Sequence, residues 1–162
     1  MTEQLNLAIH RYATARGYVT TLHLIQVGKG ALGPEAAETL LTSTILGMSQ
    51  LAGFALELYG KSWLLGHGLN AETVRKYGHN ITKIYEDAQG LGLVIPDRVV
   101  ELIEAFVAGH KDFTFRYPED GVEVKNIVWS AAFAAFAELD TIVDDKVGGS
   151  QSFGLPSGRP FL

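Results

Sequence analysis

The stretch Leu51-Ala52-Gly53-Phe54-Ala55-Leu56-Glu57-Leu58-Tyr59-Gly60-Lys61-Ser62-Trp63-Leu64-Leu65 decides the fold. Leu51, Phe54, Ala55, Leu58 and Ser62 share one helical face, and Leu56, Tyr59 and Trp63 lie on another. A helix that is apolar around so much of its circumference belongs at the centre of a bundle. The pattern reaches back to Glu35, behind Pro34, whose missing N–H costs nothing in a first helical turn. Gly66 and Gly68 end it. Gly47 and Gly53 weaken the helix by about 1 kcal/mol each relative to alanine, but they allow close helix approach. Glu57 and Lys61 stand at i, i+4 inside this apolar run. Two charges there need a reason, because a buried charge without partners is costly. Either the pair sits at the bundle edge with the lysine stem along apolar surface, or Glu57, Lys61 and a nearby histidine or arginine line a polar groove.

Working outward, Leu5, Ala8, Ile9 and Tyr12 predict a helix over about Thr2 to Arg16, with Gly17 able to end it. Tyr18 to Val27 is rich in β-branched residues and reads as an extended connection or irregular helix, followed by a loop at Gly28, Gly30 and Gly33. Asn70 can cap a short helix that runs through Tyr77, and Asn80 can cap the next, with Ile81, Ile84, Tyr85 and Ala88 on its face. Pro96-Asp97 opens a further helix that Gly109 ends, and His110 to Gly121 reads as a loop. The last helix spans about Glu123 to Lys146. Four to six helices and no convincing strand give an all-α helical bundle. The chain divides into an N-terminal helix and connection (1–34), the bundle proper (35–147) and a mobile, glycine- and proline-rich tail (148–162), one domain overall. Trp129, Phe133 and Phe136 give the last helix more apolar circumference than one core needs. A homodimer is therefore expected, with this helix or the Leu51–Leu65 helix at the contact.

Composition narrows the function. The 162 residues hold 13 Lys+Arg against 18 Asp+Glu, a net charge of −5, which argues against a protein that mainly coats DNA. No cysteine means no disulfide framework and no thiolate nucleophile. Met1-Thr2-Glu3-Gln4 lacks the basic start of a signal peptide. The longest uncharged stretch, Thr39 to Leu56, carries too many Ser, Thr and Gly for a comfortable membrane span, so a cytoplasmic protein is expected.

No glutamate is followed by histidine three residues on, and no two histidines stand four apart, so spacing alone offers no metal site and no cofactor. Gly-x-Ser-x-Gly is absent too.

The Leu51–Leu65 segment resembles the second long helix of HEPN-domain proteins. Tyr77-Gly78-His79-Asn80-Ile81 resembles their Gly-His-Asp/Asn-Leu element, and Phe115-Arg116-Tyr117-Pro118 resembles an Arg-Tyr-Pro that precedes their final helix. The resemblance spans roughly Leu40 to Val147 and implies a homodimeric helical bundle. Many HEPN proteins are metal-independent RNases of toxin–antitoxin or defence systems that use Arg-x4–6-His. Here no histidine follows Arg116. The resemblance therefore implies a divergent, non-catalytic module that binds RNA, a nucleotide or a protein partner such as a nucleotidyltransferase. Its implied ligand-binding set is Glu57, Lys61, His79, Arg116 and Tyr117. The alternatives are an RNase using Arg116 with His79 or His110, and a structural homodimer. His79 can also lock its turn by bonding backbone or Glu57. Arg116 can contact a phosphate or stack on a base.

Overall fold

The computed structural model describes residues 2–111 and 127–156. Among them the chain is all-α, with helices α1 (Glu3–Gly30), α2 (Pro34–Gly66), α3 (Ala71–Lys76), α4 (Ile81–Gly90), α5 (Asp97–Lys111), α6 (Trp129–Val147) and a single turn, α7 (Gly149–Ser152).

The helix α1 corrects the expected stop at Gly17 and the expected connection over 18–27, because it runs unbroken through both. The reason is tertiary. Ala8, Tyr12, Ala15, Val19 and Leu22 are fully buried at alternating steps of four and three, a continuous seam that carries the helix past one glycine. The β-branched threonines fit by donating their hydroxyls one turn back, Thr20 to the Arg16 carbonyl and Thr21 to the Gly17 carbonyl, each at 2.9 Å.

Met48, Ala52, Ala55, Tyr59 and Ser62 form the matching buried seam on α2. The two helices make the largest interface in the molecule. They run antiparallel: Ser62 donates to the Ala8 carbonyl at 2.8 Å, Tyr12 meets Tyr59 edge-on, and Gln26 reaches the Met48 sulfur.

α2 also packs on α4, α5 and α6, so this helix is the central one. Asn70 and Asn80 cap α3 and α4, accepting from the backbone N–H groups of Thr73 and Lys83 at 2.8 and 3.1 Å. No single helix among the described residues is long and apolar enough to cross a membrane. α2 is divided by a 55° bend between Leu40 and Thr44, and only its two arms taken together have the length and composition of a span.

Three further expectations change. Gly109 does not end α5, which continues through Lys111 and keeps His110 helical and buried. Ile127 and Val128 precede α6 outside the helix, and its expected first residues, 123–126, lie outside the described residues. Trp129, Phe133 and Phe136, read as surplus apolar surface, are buried within this chain.

The start of the presumed mobile tail is docked. Ser150 is buried and its N–H donates to the Asp144 carboxylate at 2.8 Å, while the Arg16 guanidinium donates to the Pro156 carbonyl. Arg16 also donates to the Tyr12 hydroxyl at 2.9 Å. Tyr12 and Tyr59 in turn donate to the two oxygens of Asp140, at 3.0 and 2.7 Å. This buried network joins α1, α2, α6 and the C-terminal segment. Burial and the neighbouring Asp140 push both tyrosine hydroxyls well above their usual range.

Candidate functional site

Glu57 lies on the face of α2 turned away from α1, with its carboxylate buried. Lys61, one turn on, donates to Oε1 at 2.6 Å and to the carbonyl of Gly78 at 2.6 Å. The other oxygen, Oε2, faces two imidazoles: His79 Nδ1 at 2.8 Å and His110 Nε2 at 2.7 Å. The i, i+4 spacing on α2 brings Lys61 to Glu57. The turn before α4 delivers His79, with Gly78 at φ 55°, a left-handed conformation that glycine adopts without strain. The last turn of α5 delivers His110.

Burial pushes the Glu57 carboxyl up, but the hydrogen bonds from His110, Lys61 and His79 together outweigh it and hold the group down to about 2. Glu57 is therefore a carboxylate and both imidazoles donate to it. Phe54 packs edge-on against each imidazole, with ring centres 5.1 Å from His110 and 6.2 Å from His79.

The two histidines differ in access. The His110 side chain is 1% exposed and that of His79 is 37% exposed, so a solute reaches the site past His79. His110 is inserted against Gly53, where a Cβ would stand 2.4 Å from its Nδ1. That buried Nδ1 has no hydrogen-bond partner among the described residues. The turn carrying His79 also borders an open cleft of about 350 Å³ lined by Thr73, Lys76, Tyr77, Asn80, Lys83 and Asp87.

Of the residues singled out in the sequence, Glu57, Lys61, His79 and His110 thus meet at one carboxylate. The edge-of-bundle alternative for Glu57 and Lys61 does not hold, because both side chains are less than a tenth exposed. The reading of His79 as a partner of Glu57 matches the hydrogen bond seen. Arg116 and Tyr117 lie outside the described residues. The sequence offered no metal-ligand spacing, yet Glu57, His79 and His110 place their ligand atoms within 4.8 Å of one another. Histidines 22 and 53 residues from their glutamate form no local motif, and only the packing of three helical segments unites them. Gly53 is the one sequence signal for the seat of His110, as a glycine kept inside a helix. The Arg16–Asp140 network went unread, although a carboxylate within the apolar run of the last helix is its visible trace.

No family model matches this chain, and no curated protein or solved structure shows significant similarity to it.

Proposed function

We propose that this chain is a divergent HEPN-like helical module that binds an RNA or nucleotide phosphate where the His79 turn meets solvent, without cleaving it. One observation carries the reading. The two segments of the resemblance that lie among the described residues converge on one hydrogen-bonded site: Lys61 of the first binds Gly78 of the second, and Glu57 of the first binds His79. The cleft beside that turn holds Lys76, paired with Glu72, and Lys83, paired with Asp87, as cations that a phosphate would draw from exposed ion pairs, together with the Asn80 amide and Thr73 hydroxyl.

The burial of His110 counts against the RNase alternative that uses His110, and leaves the one that uses His79 to the test below. Metal-independent RNA cleavage needs an acid and a base that both reach the substrate. Only His79 of the pair is open to solvent.

Fluorescence anisotropy with a labelled single-stranded RNA, and competition by ATP, both in EDTA, test the reading. Binding should weaken as salt rises. His79→Ala and Lys83→Ala should each weaken it by about tenfold, the worth of one charge-assisted contact. Wild-type protein that binds neither probe overturns the reading. RNA cleavage in EDTA that disappears in His79→Ala replaces it with the RNase alternative.

A further inference from the structure

The grouping of Glu57, His79 and His110 is more than a buried hydrogen-bonded cluster needs. Packing alone gives no reason to bury an imidazole at position 110. Its Nδ1 has no partner among the described residues, so the ring makes its one hydrogen bond through Nε2. Seating the ring also requires a glycine at position 53, in the interior of α2, where glycine weakens a helix. An apolar ring would fill the same place without the polar cost. What the imidazole adds is Nε2, aimed at the same carboxylate oxygen as His79 Nδ1.

We propose that Glu57 Oε2, His79 Nδ1 and His110 Nε2 are the three protein ligands of a divalent transition-metal site of the zinc class, with a coordination position open toward solvent on the His79 side. Two imidazole nitrogens and one carboxylate oxygen form a donor set that zinc accepts, and three protein ligands leave a fourth position for a water or an anion. Lys61 takes Oε1, so the carboxylate presents Oε2 alone and is held in place by a partner outside the ligand set.

The distances fit a site closed by hydrogen bonds until an ion enters. Ligand atoms on a tetrahedral zinc stand about 3.3–3.5 Å apart, given bonds of about 2.0–2.2 Å. Oε2 lies 2.8 Å from Nδ1 of His79 and 2.7 Å from Nε2 of His110, so each pair opens by about 0.5–0.8 Å when the ion replaces the two N–H···O hydrogen bonds. Each imidazole then carries its proton on the other ring nitrogen and stays neutral. His79, at the start of α4 and partly exposed, is the ligand that can give way. With an ion and Lys61 both positive against one carboxylate, the open position favours an anion.

The site shares His79 with the phosphate reading, but that reading is measured in EDTA and is also probed by Lys83→Ala, outside the ligand set, so the two can fail separately. Its test is metal binding by the full chain. EDTA-treated, dialysed protein is titrated with Zn²⁺ by calorimetry and with Co²⁺ by visible absorption. The zinc content is counted after gel filtration, and circular dichroism checks the fold of every variant. One Zn²⁺ per chain is expected, with the intense visible absorption of tetrahedral Co²⁺ and a rise in thermal midpoint on saturation. His79→Ala should weaken Zn²⁺ binding by about 100-fold or more, since loss of an outer-shell partner alone costs up to that much. Glu57→Gln should do the same if it folds, and His79→Ala, at a partly exposed position, decides the matter if it does not. Surface His10→Ala should bind as wild type does. Wild-type protein that takes up no Zn²⁺ or Co²⁺, or that binds them as tightly after His79→Ala, overturns the assignment.

Discussion

Gly53 of α2 and His110 of α5 fit together so closely that the glycine's missing side chain is the seat of the imidazole. Gly53→Ala sets two effects against each other. The alanine favours the helix by about 1 kcal/mol, while overpacking costs about 1–3 kcal/mol. With the new Cβ facing ring atoms of a buried side chain, overpacking wins. Urea denaturation should show a net loss of up to about 2 kcal/mol. In the Gly53→Ala, His110→Ala double variant the alanine at 53 should cost nothing further, because the clash is gone.

Lys61 is the cation that lets Glu57 stay ionised out of water. Lys61→Met leaves a buried carboxylate with two imidazole donors and no fixed positive charge. A loss of about 3–5 kcal/mol is expected, the usual cost of removing one partner of a buried pair. The double variant Glu57→Gln, Lys61→Met should recover part of it. Equal stability of Lys61→Met and wild type in urea would show that the pair is not the source of the folding energy assigned to it.

Asp140 gives a pH signature of the opposite sense to an ordinary salt-bridged carboxylate. Burial dominates over the Tyr59 and Tyr12 hydrogen bonds and the Arg16 charge, so its carboxyl lies above the usual 3.8. The folded state therefore holds this proton more tightly than the unfolded chain does. The resulting stability is complete below pH 3.8 and is lost as pH rises through the raised value. Asp140→Asn cannot lose a proton. Measured by urea denaturation across the acid range, wild-type stability relative to this variant should fall with rising pH and then level off. A difference that grows with pH would mean that the ionised form is the favoured one.

Arg16 ties the C-terminal segment to α1 through the Pro156 carbonyl. Arg16→Ala should speed amide hydrogen exchange over Ser152 to Leu155, whose N–H groups bond within that segment, while the α4 amides keep wild-type protection. Unchanged exchange at Ser152 to Leu155 would place the hold on the Ser150–Asp144 hydrogen bond instead.

The helical class, the central role of α2 and the caps at Asn70 and Asn80 were legible in the sequence, because apolar periodicity and side-chain capping are local. The course of α1 was not. Gly17 and the β-branched residues after it signal a stop locally, and only the seam on α2 reveals why the helix continues. His110 was hidden for a similar reason. A glycine before it reads as a helix end, yet burial against Gly53 holds the last turn in place. Glu57 and Lys61 announced a polar site by standing inside an apolar run. That His79 and His110 share one oxygen of that glutamate is a property of three packed helical segments, which no spacing in the chain encodes.

Lys61 binds both the Glu57 carboxylate and the carbonyl of Gly78, so the turn presenting His79 is strapped to the floor of the site before any ligand arrives. The conformational entropy of ordering that turn is therefore met during folding. Association at this site should then proceed with little backbone rearrangement, at a rate governed by encounter rather than by a slow isomerisation of the free protein.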